Sequence, residues 1–200
     1  MTESKVESKR KNKRQDIMDA ALELIALRGF HEAPMALLAK KADVGTGTIY
    51  HHFKDKEALI QALYAEMKIR MGQVMEKSDK PILRYRKRFD CIWEGLYVHY
   101  IQHPSEFMFL EQYSNSPYIR KSDRENNMVH YQYIIAFLDW GMKTGHLRKM
   151  NMQLMLNLLF GNISTLVRLF MSGEMMIDMS TLKIAIQSSW DSICRPQRQL

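Results

Sequence analysis

Cysteine is scarce in this 200-residue chain: there are two, Cys91 and Cys194, far apart and without metal-type spacing. They read as buried or incidental thiols of a reducing cytosol, not as a disulfide framework or a zinc site. Proline (five) and glycine (nine) are few as well, and beyond the first dozen residues there is no low-complexity tract and no internal repeat. The N-terminus is polar from Thr2 to Asp16, which a secretory signal is not. No uninterrupted apolar run is long enough for a bilayer. The most apolar window, Met152 to Met171, is broken by Gln153, Asn157, Asn162, Ser164, Thr165 and Arg168, against a membrane span. A phosphate-cradling glycine loop, a nucleophile elbow and a usable carboxylate pair are all missing, so neither catalysis nor a cofactor is expected. His99 and His103 stand four apart, a spacing that can hold a metal, but no clear third ligand follows and no metal is expected.

Positive charge is present and unevenly placed. The net charge is +7. Residues 1–88 hold 19 Lys and Arg against 12 Asp and Glu, while residues 89–200 balance at ten and ten. A basic N-terminal part on a neutral body is the electrostatic footprint of a nucleic-acid-binding head. Residues 1–12 form a charged tail expected to be disordered, either an arm along DNA or a solubilising tail.

The most informative stretch is A-D-V-G-T-G-T-I-Y-H-H-F-K-D-K-E-A-L, residues 42–59. It reads as the turn and second helix of a helix-turn-helix, followed at once by a new helix start. A first helix over 35–42 puts Leu38, Ala39 and Ala42 on one face. Asp43 tolerates the left-handed turn conformation, and Gly45 suits a cap. The next helix, 46–53, turns Ile49 and Phe53 inward. Its outer face carries Thr46, Gly47, Thr48, Tyr50 and His51, side chains suited to phosphates and base edges in a major groove. Gly47 allows close approach to the DNA backbone. Lys54, Lys56, Arg14 and Met35 complete the expected DNA-binding set, with Lys56 and the amides of the helix start at 55 sharing one phosphate. Pro34 is expected at the first position of the helix that follows it.

These residues resemble the DNA-binding domain of the tetracycline-repressor (TetR) family of bacterial regulators. The family pattern runs roughly A-G-V-S-x-G-T-L-Y-x-Y/H-F-x-S-K-E-x-L. Ala42, Val44, Gly47, Thr48, Tyr50, His52, Phe53, Lys56, Glu57 and Leu59 match it, and Ile49 matches conservatively. Asp43 stands where Gly is usual, Gly45 where Ser usually caps, and Ala33-Pro34 where a Thr/Ser pair often opens the second helix. The motif covers about a quarter of the chain.

Periodicity predicts an all-α chain of about nine helices: a three-helix head and a larger helical body. The expected division is a disordered basic arm over 1–12, a DNA-binding domain over 13–56, and a ligand-binding and dimerisation domain over 57–200. Further helices are expected over 13–28, 55–76, 81–103, 106–113, 122–144, 151–172 and 180–194. The helix over 151–172 is apolar nearly all round and needs two partners. Leu159, Ile163, Leu166 and Phe170, with Leu182, Ile186 and Trp190 of the last helix, are expected to meet a second copy. The resemblance implies that four-helix interface. Met and aromatic residues suggest an apolar pocket lined by Phe107, Phe109, Tyr113, Tyr131, Phe137, Trp140, Met155 and Phe160, although core packing explains each singly.

The expected function is a cytoplasmic, sequence-specific transcriptional regulator, not an enzyme. It would be a homodimeric repressor on palindromic double-stranded DNA, released by a small apolar or aromatic effector. A ligand-independent architectural DNA-binding protein, or a metabolite-binding protein with a vestigial head, remain the alternatives.

Overall fold

The computed structural model describes residues 2–114, 116, 118 and 131–195, with side chains from Lys13 onward. Its described residues form nine helices: α1 (Thr2–Arg28), α2 (Met35–Lys41), α3 (Thr46–His52), α4 (Lys56–Ser78), α5 (Tyr85–Gln102), α6 (Pro104–Ser114), α7 (Gln132–Lys143), α8 (Met152–Met171) and α9 (Met179–Ile193). Among them no strand occurs, only one isolated antiparallel bridge between Leu147 and Cys194. Two compact units result: Met1–Met67 with Ser105–Arg124, and Lys68–Pro104 with Glu125–Leu200.

The first unit forms around an amphipathic α1. Ile17, Met18, Ala21, Leu24 and Ile25 are buried together with Leu38 and Ala39 of α2 and Ile49 of α3. Helix α1 ends at Gly29, whose φ of 80° is a left-handed C-cap that other residues adopt at a cost. Phe30 then turns into the core. Pro34 precedes α2 as its N-cap and does not open it, correcting the expected first-turn position. Its extended ψ of 152° leaves the carbonyl to accept from Leu37 and Leu38 amides. The α2–α3 turn places Asp43 at φ 51°, and the Val44 amide closes back onto the Ala39 carbonyl at 3.0 Å. Gly45 caps α3. Asp55 caps α4, its carboxylate accepting from the Ala58 amide at 2.7 Å.

Three features of this unit depart from the sequence reading. Helix α1 begins at Thr2, so the expected disordered tail over 1–12 gives way to helix over 2–12. The composition accounts for it: Lys, Arg and Glu are good helix formers, and no Gly or Pro interrupts. The unit also extends past residue 56, because Leu59, Ile60, Leu63, Tyr64 and Met67 of α4 are core residues here. Finally, α6 joins it. Phe109 packs edge-on against Phe30 at 5.9 Å, and Tyr113 stacks on Tyr64 at 4.0 Å.

The second unit is built on α5, α8 and α9, which contact one another pairwise. Helix α5 buries Tyr85, Phe89, Ile92, Trp93, Leu96, Tyr97 and Tyr100. It starts at Tyr85, not at Pro81, because Pro81 lies in a turn closed by the Leu83 amide on the Lys80 carbonyl. Helix α8 buries Met155, Leu156, Leu159, Ile163, Leu166 and Val167, and α9, which it contacts, buries Leu182, Ile186 and Ile193. By length and apolar composition α8 alone among the described helices could cross a membrane. Here that composition serves a two-sided role: one face fills the core, and the other exposes Leu154, Leu158 and Phe170. The helix expected over 122–144 is described over Gln132–Lys143, and residues 119–130 lie outside the described residues.

Candidate nucleic-acid interface and ligand cavity

Helix α3 is held by two residues, Ile49 and the following Phe53, both buried. With those inward, the outward face is set. Thr46, Gly47 and His51 are exposed, Tyr50 is 52 % exposed, and Thr48 is half-buried. A Cβ at Gly47 would meet no atom within 4 Å. Glycine in a helix costs roughly 1 kcal/mol relative to alanine, and nothing inside the chain requires it at this position. Lys54 is exposed beside this face. His51 is exposed and His52 half-buried, the two rings meeting edge to face at 5.4 Å.

The remaining three expected contacts sit differently. Met35 is half-buried against the head core, because α2 turns it toward the core cluster. The Lys56 ammonium donates to the Phe30 carbonyl, and desolvation lowers its pKa. Lys56 therefore ties the start of α4 to the loop after α1, beside the helix-start amides with which it is expected to share a phosphate. Arg14 folds back over the Phe53 ring at 5.1 Å and donates to Met18 Sδ at 3.0 Å, so it braces the end of α3 from an exposed position.

The expected apolar pocket divides between the two units. Phe107 is buried on α6, and Phe109 and Tyr113 belong to the head core. Tyr131, Phe137, Trp140, Met155 and Phe160 belong to the second unit. Of these, Phe137 and Trp140 line a cavity of about 300 Å³ with Arg88, Tyr133 and Ala136. Met155 is fully buried, and Tyr131 and Phe160 face each other at 5.5 Å. The expected dimer set is also redistributed. Leu159, Ile163, Leu166, Leu182 and Ile186 are buried within the single chain, because α5 occupies the face that they share. Phe170 and Trp190 keep partial exposure. The outward stripe of α8 is instead Leu154, Leu158, Gly161 and Thr165, with Ile184 exposed on α9.

Two family models match: "Bacterial regulatory proteins, tetR family" over residues 17–63, and "Tetracyclin repressor-like, C-terminal domain" over residues 84–194. The chain belongs to the tetR family of bacterial regulatory proteins. Among curated relatives, this tetR-family chain is 41 % identical over 70 residues to the fatty acid metabolism regulator protein of Bacillus subtilis, a match covering 35 % of this chain and 34 % of that protein. It is 34 % identical over 79 residues to the transcriptional regulator UidR of Escherichia coli, covering 40 % and 35 %. The matches thus span about a third of the length of these relatives. The fold is shared throughout with a tetR-family regulator from Marinobacter aquaeolei, at TM-score 0.88, 19 % identity, and 95 % and 100 % coverage. FadR of Bacillus subtilis, whose solved structure holds stearoyl-CoA, aligns at TM-score 0.70, 22 % identity, and 88 % and 95 % coverage.

Sequence reasoning missed a polar cluster in the second unit of this tetR-family protein. Arg88 forks onto Asp79, with Nε to Oδ1 at 2.9 Å and Nη2 to Oδ2 at 2.6 Å, and Tyr133 donates its hydroxyl to the same carboxylate. The Asp79 side chain is sealed from solvent. Nine residues separate Asp79 from Arg88 and 54 separate it from Tyr133, so no local pattern signals the cluster. Lys68 is a second omission. It lies over the Tyr131 ring at 4.4 Å and bonds its hydroxyl, and burial pushes its pKa down to about 7. Among the described residues no three His, Cys, Asp or Glu gather as metal ligands; His99 and His103 stack at 4.4 Å without a third.

Burial alone would raise the pKa of Asp79, but hydrogen bonds from Arg88 and Tyr133 and the Arg88 charge outweigh it and hold the carboxyl below its ordinary value. A depressed folded-state pKa gives stability that is complete above the unfolded value and is lost as pH falls through the folded one. The urea midpoint, followed from pH 6 to pH 2.5, is therefore expected to fall steeply below about pH 4 in the native protein. In Asp79→Asn the midpoint is lower at pH 6 and its acid slope shallower. Equal slopes for the two proteins would mean that other carboxylates carry the acid sensitivity.

Proposed function

We propose that this chain is a sequence-specific DNA-binding transcriptional regulator, a homodimeric repressor on a palindromic duplex site that a small apolar or aromatic molecule releases. The observation that carries this reading is the outward face of α3. It presents small hydroxyls, an exposed tyrosine and a glycine with no internal reason to be glycine, on the basic part of the chain. Hydroxyl and phenol donors of this kind reach phosphates and base edges when a helix enters the major groove. The first unit then acts as the DNA-binding domain and the second as the ligand-binding and dimerisation domain. Helix α4 contributes to both cores, through Leu59, Ile60 and Leu63 in the first and Met71 and Met75 in the second.

Dimerisation fits the outward stripe of Leu154, Leu158, Gly161 and Thr165, an apolar row interrupted by small residues that lets two helices approach closely. The curated relatives that match over the head are transcriptional regulators, and the FadR complex with stearoyl-CoA supports a ligand-responsive second unit on this fold. Such a repressor works in the cytoplasm, where the DNA is.

Selection of bound fragments from random duplex DNA tests the reading. A palindrome with half-sites about one helical turn apart is the expected result. Recovery of no motif, with binding that vanishes at moderate salt, would favour an architectural DNA-binding protein instead. On the selected site, Tyr50→Ala is expected to weaken binding about tenfold for operator and random duplex alike, since a phosphate contact carries no sequence information. Thr46→Ala is expected to change base preference at one position of each half-site. Unchanged affinity of Tyr50→Ala by electrophoretic mobility shift would remove Tyr50 from the interface.

A further inference from the structure

We propose that the cavity between the start of α5 and the outer face of α7 binds a planar aromatic monoanion, with an aryl carboxylate as its type. This deepens the effector site of the regulator proposed above and rests on that reading for its consequence, release of DNA, though not for binding itself. The cavity is about 300 Å³, at the lower end for small-molecule sites, and suits one or two rings. Arg88 is the one cation among its five described lining residues. Asp79 fixes the guanidinium through Nε and Nη2, and Tyr133 hydrogen-bonds both the Asp79 carboxylate and the Arg88 side chain. The Arg88 side chain nonetheless keeps 22 % of its surface exposed. A rigid, pre-oriented fork therefore keeps part of its surface open to an acceptor, and little side-chain entropy remains to be lost on binding.

The walls supply the second requirement. Phe137 lies under the Arg88 guanidinium at 5.1 Å, and Trp140 leaves 46 % of its surface exposed at the cavity edge although it is large and apolar. An aromatic ligand would cover that indole by stacking while its carboxylate meets the exposed part of the Arg88 guanidinium. The charge balance selects the class. Asp79 already neutralises Arg88 and no second cation stands among the described lining residues, so a dianionic phosphate would bring more negative charge than the pair offsets. A neutral amide would forgo the charge-assisted bond, and a cation would be repelled.

Isothermal titration of the full-length protein with 2-naphthoate, 2-naphthamide and 2-naphthyl phosphate tests the proposal. Naphthoate is expected to bind at least about tenfold tighter than the amide or the phosphate, as loss of a charged hydrogen bond implies. Arg88→Lys keeps a cation beside Asp79 but loses the planar fork, and is expected to weaken naphthoate about tenfold. Trp140→Ala removes an exposed side chain, and is expected to weaken naphthoate severalfold. It decides the matter if Arg88→Lys does not fold. No binding at millimolar naphthoate, equal affinity for naphthoate and naphthamide, or native affinity in a folded variant would each overturn the proposal. Mobility shift on the selected duplex separates the two readings. Naphthoate binding that depends on Arg88, in a protein without specific DNA binding, overturns the regulator and leaves the site. Specific DNA binding without naphthoate binding does the reverse.

Discussion

Gly141→Ala is expected to lower the melting temperature of the second unit by roughly 6–12 °C, from a loss of about 3 kcal/mol. A Cβ at position 141 would lie 2.1 Å from Tyr85 Oη, 2.5 Å from Tyr85 Cζ and 2.9 Å from Leu147 Cδ1. These neighbours have nowhere to go. Tyr85 is buried, stacked on Phe137 at 4.5 Å and on His146 at 4.8 Å, and its hydroxyl donates to the Phe137 carbonyl at 3.1 Å. Admitting a methyl group there displaces the ring, breaks a buried hydrogen bond and opens two stacks at once. Overpacking costs about 1–3 kcal/mol and an orphaned buried polar group about as much again, against roughly 1 kcal/mol regained in helix propensity. All three tryptophans, Trp93, Trp140 and Trp190, lie in the second unit, so fluorescence-detected melting reads that unit directly. Tyr85→Leu should destabilise the native chain yet cost less in the Gly141→Ala background, giving a non-zero coupling in a double-mutant cycle. A melting temperature within about 1 °C of native for Gly141→Ala would show that Tyr85 yields at no cost, contrary to its packing.

The contrast between the units follows from how far apart in sequence their contacts lie. Head geometry was legible because each step is local. Asp43 takes the left-handed turn, Gly45 caps α3, Asp55 caps α4, and Ile49 with Phe53 sets which face of α3 looks outward. Assignment of Phe109 and Tyr113 to the head core was not legible. Their partners Phe30 and Tyr64 are about 80 and 50 residues away, and an aromatic on an apolar helix carries no address. In α8 the difficulty was phase. A helix apolar nearly all round fits the core in any rotation, so its pattern could not separate Leu159 and Ile163, which are buried, from Leu154 and Leu158, which are exposed. Helices α5 and α9 settle that rotation, and the periodicity of α8 alone does not register either of them. Arg88 shows the same limit for charge. Among the four cations of Arg84-Tyr85-Arg86-Lys87-Arg88 composition does not distinguish it, yet Arg88 is the one held to the buried Asp79 carboxylate.

Gly47→Ala, the same chemical change at the other glycine of interest, is expected to act in the opposite sense on stability. No atom lies within 4 Å of the added Cβ, and backbone entropy favours alanine, so the head should gain about 0.5–1 kcal/mol. Affinity for the selected duplex should nevertheless fall about 10–100-fold, because the methyl group stands where the first turn of α3 would approach phosphates and base edges. In the homodimer proposed above each copy would set its α3 in one groove of the palindrome, so the clash would occur twice. Amide hydrogen exchange of α2 and α3 reads the stabilisation, and mobility shift at fixed salt reads the affinity. Binding lost together with slower exchange places the defect at the surface and not in the fold. Native affinity in the Gly47→Ala protein would mean that α3 does not approach DNA by its Gly47 face. The groove-reading face would then have to be sought elsewhere on the basic part of the chain.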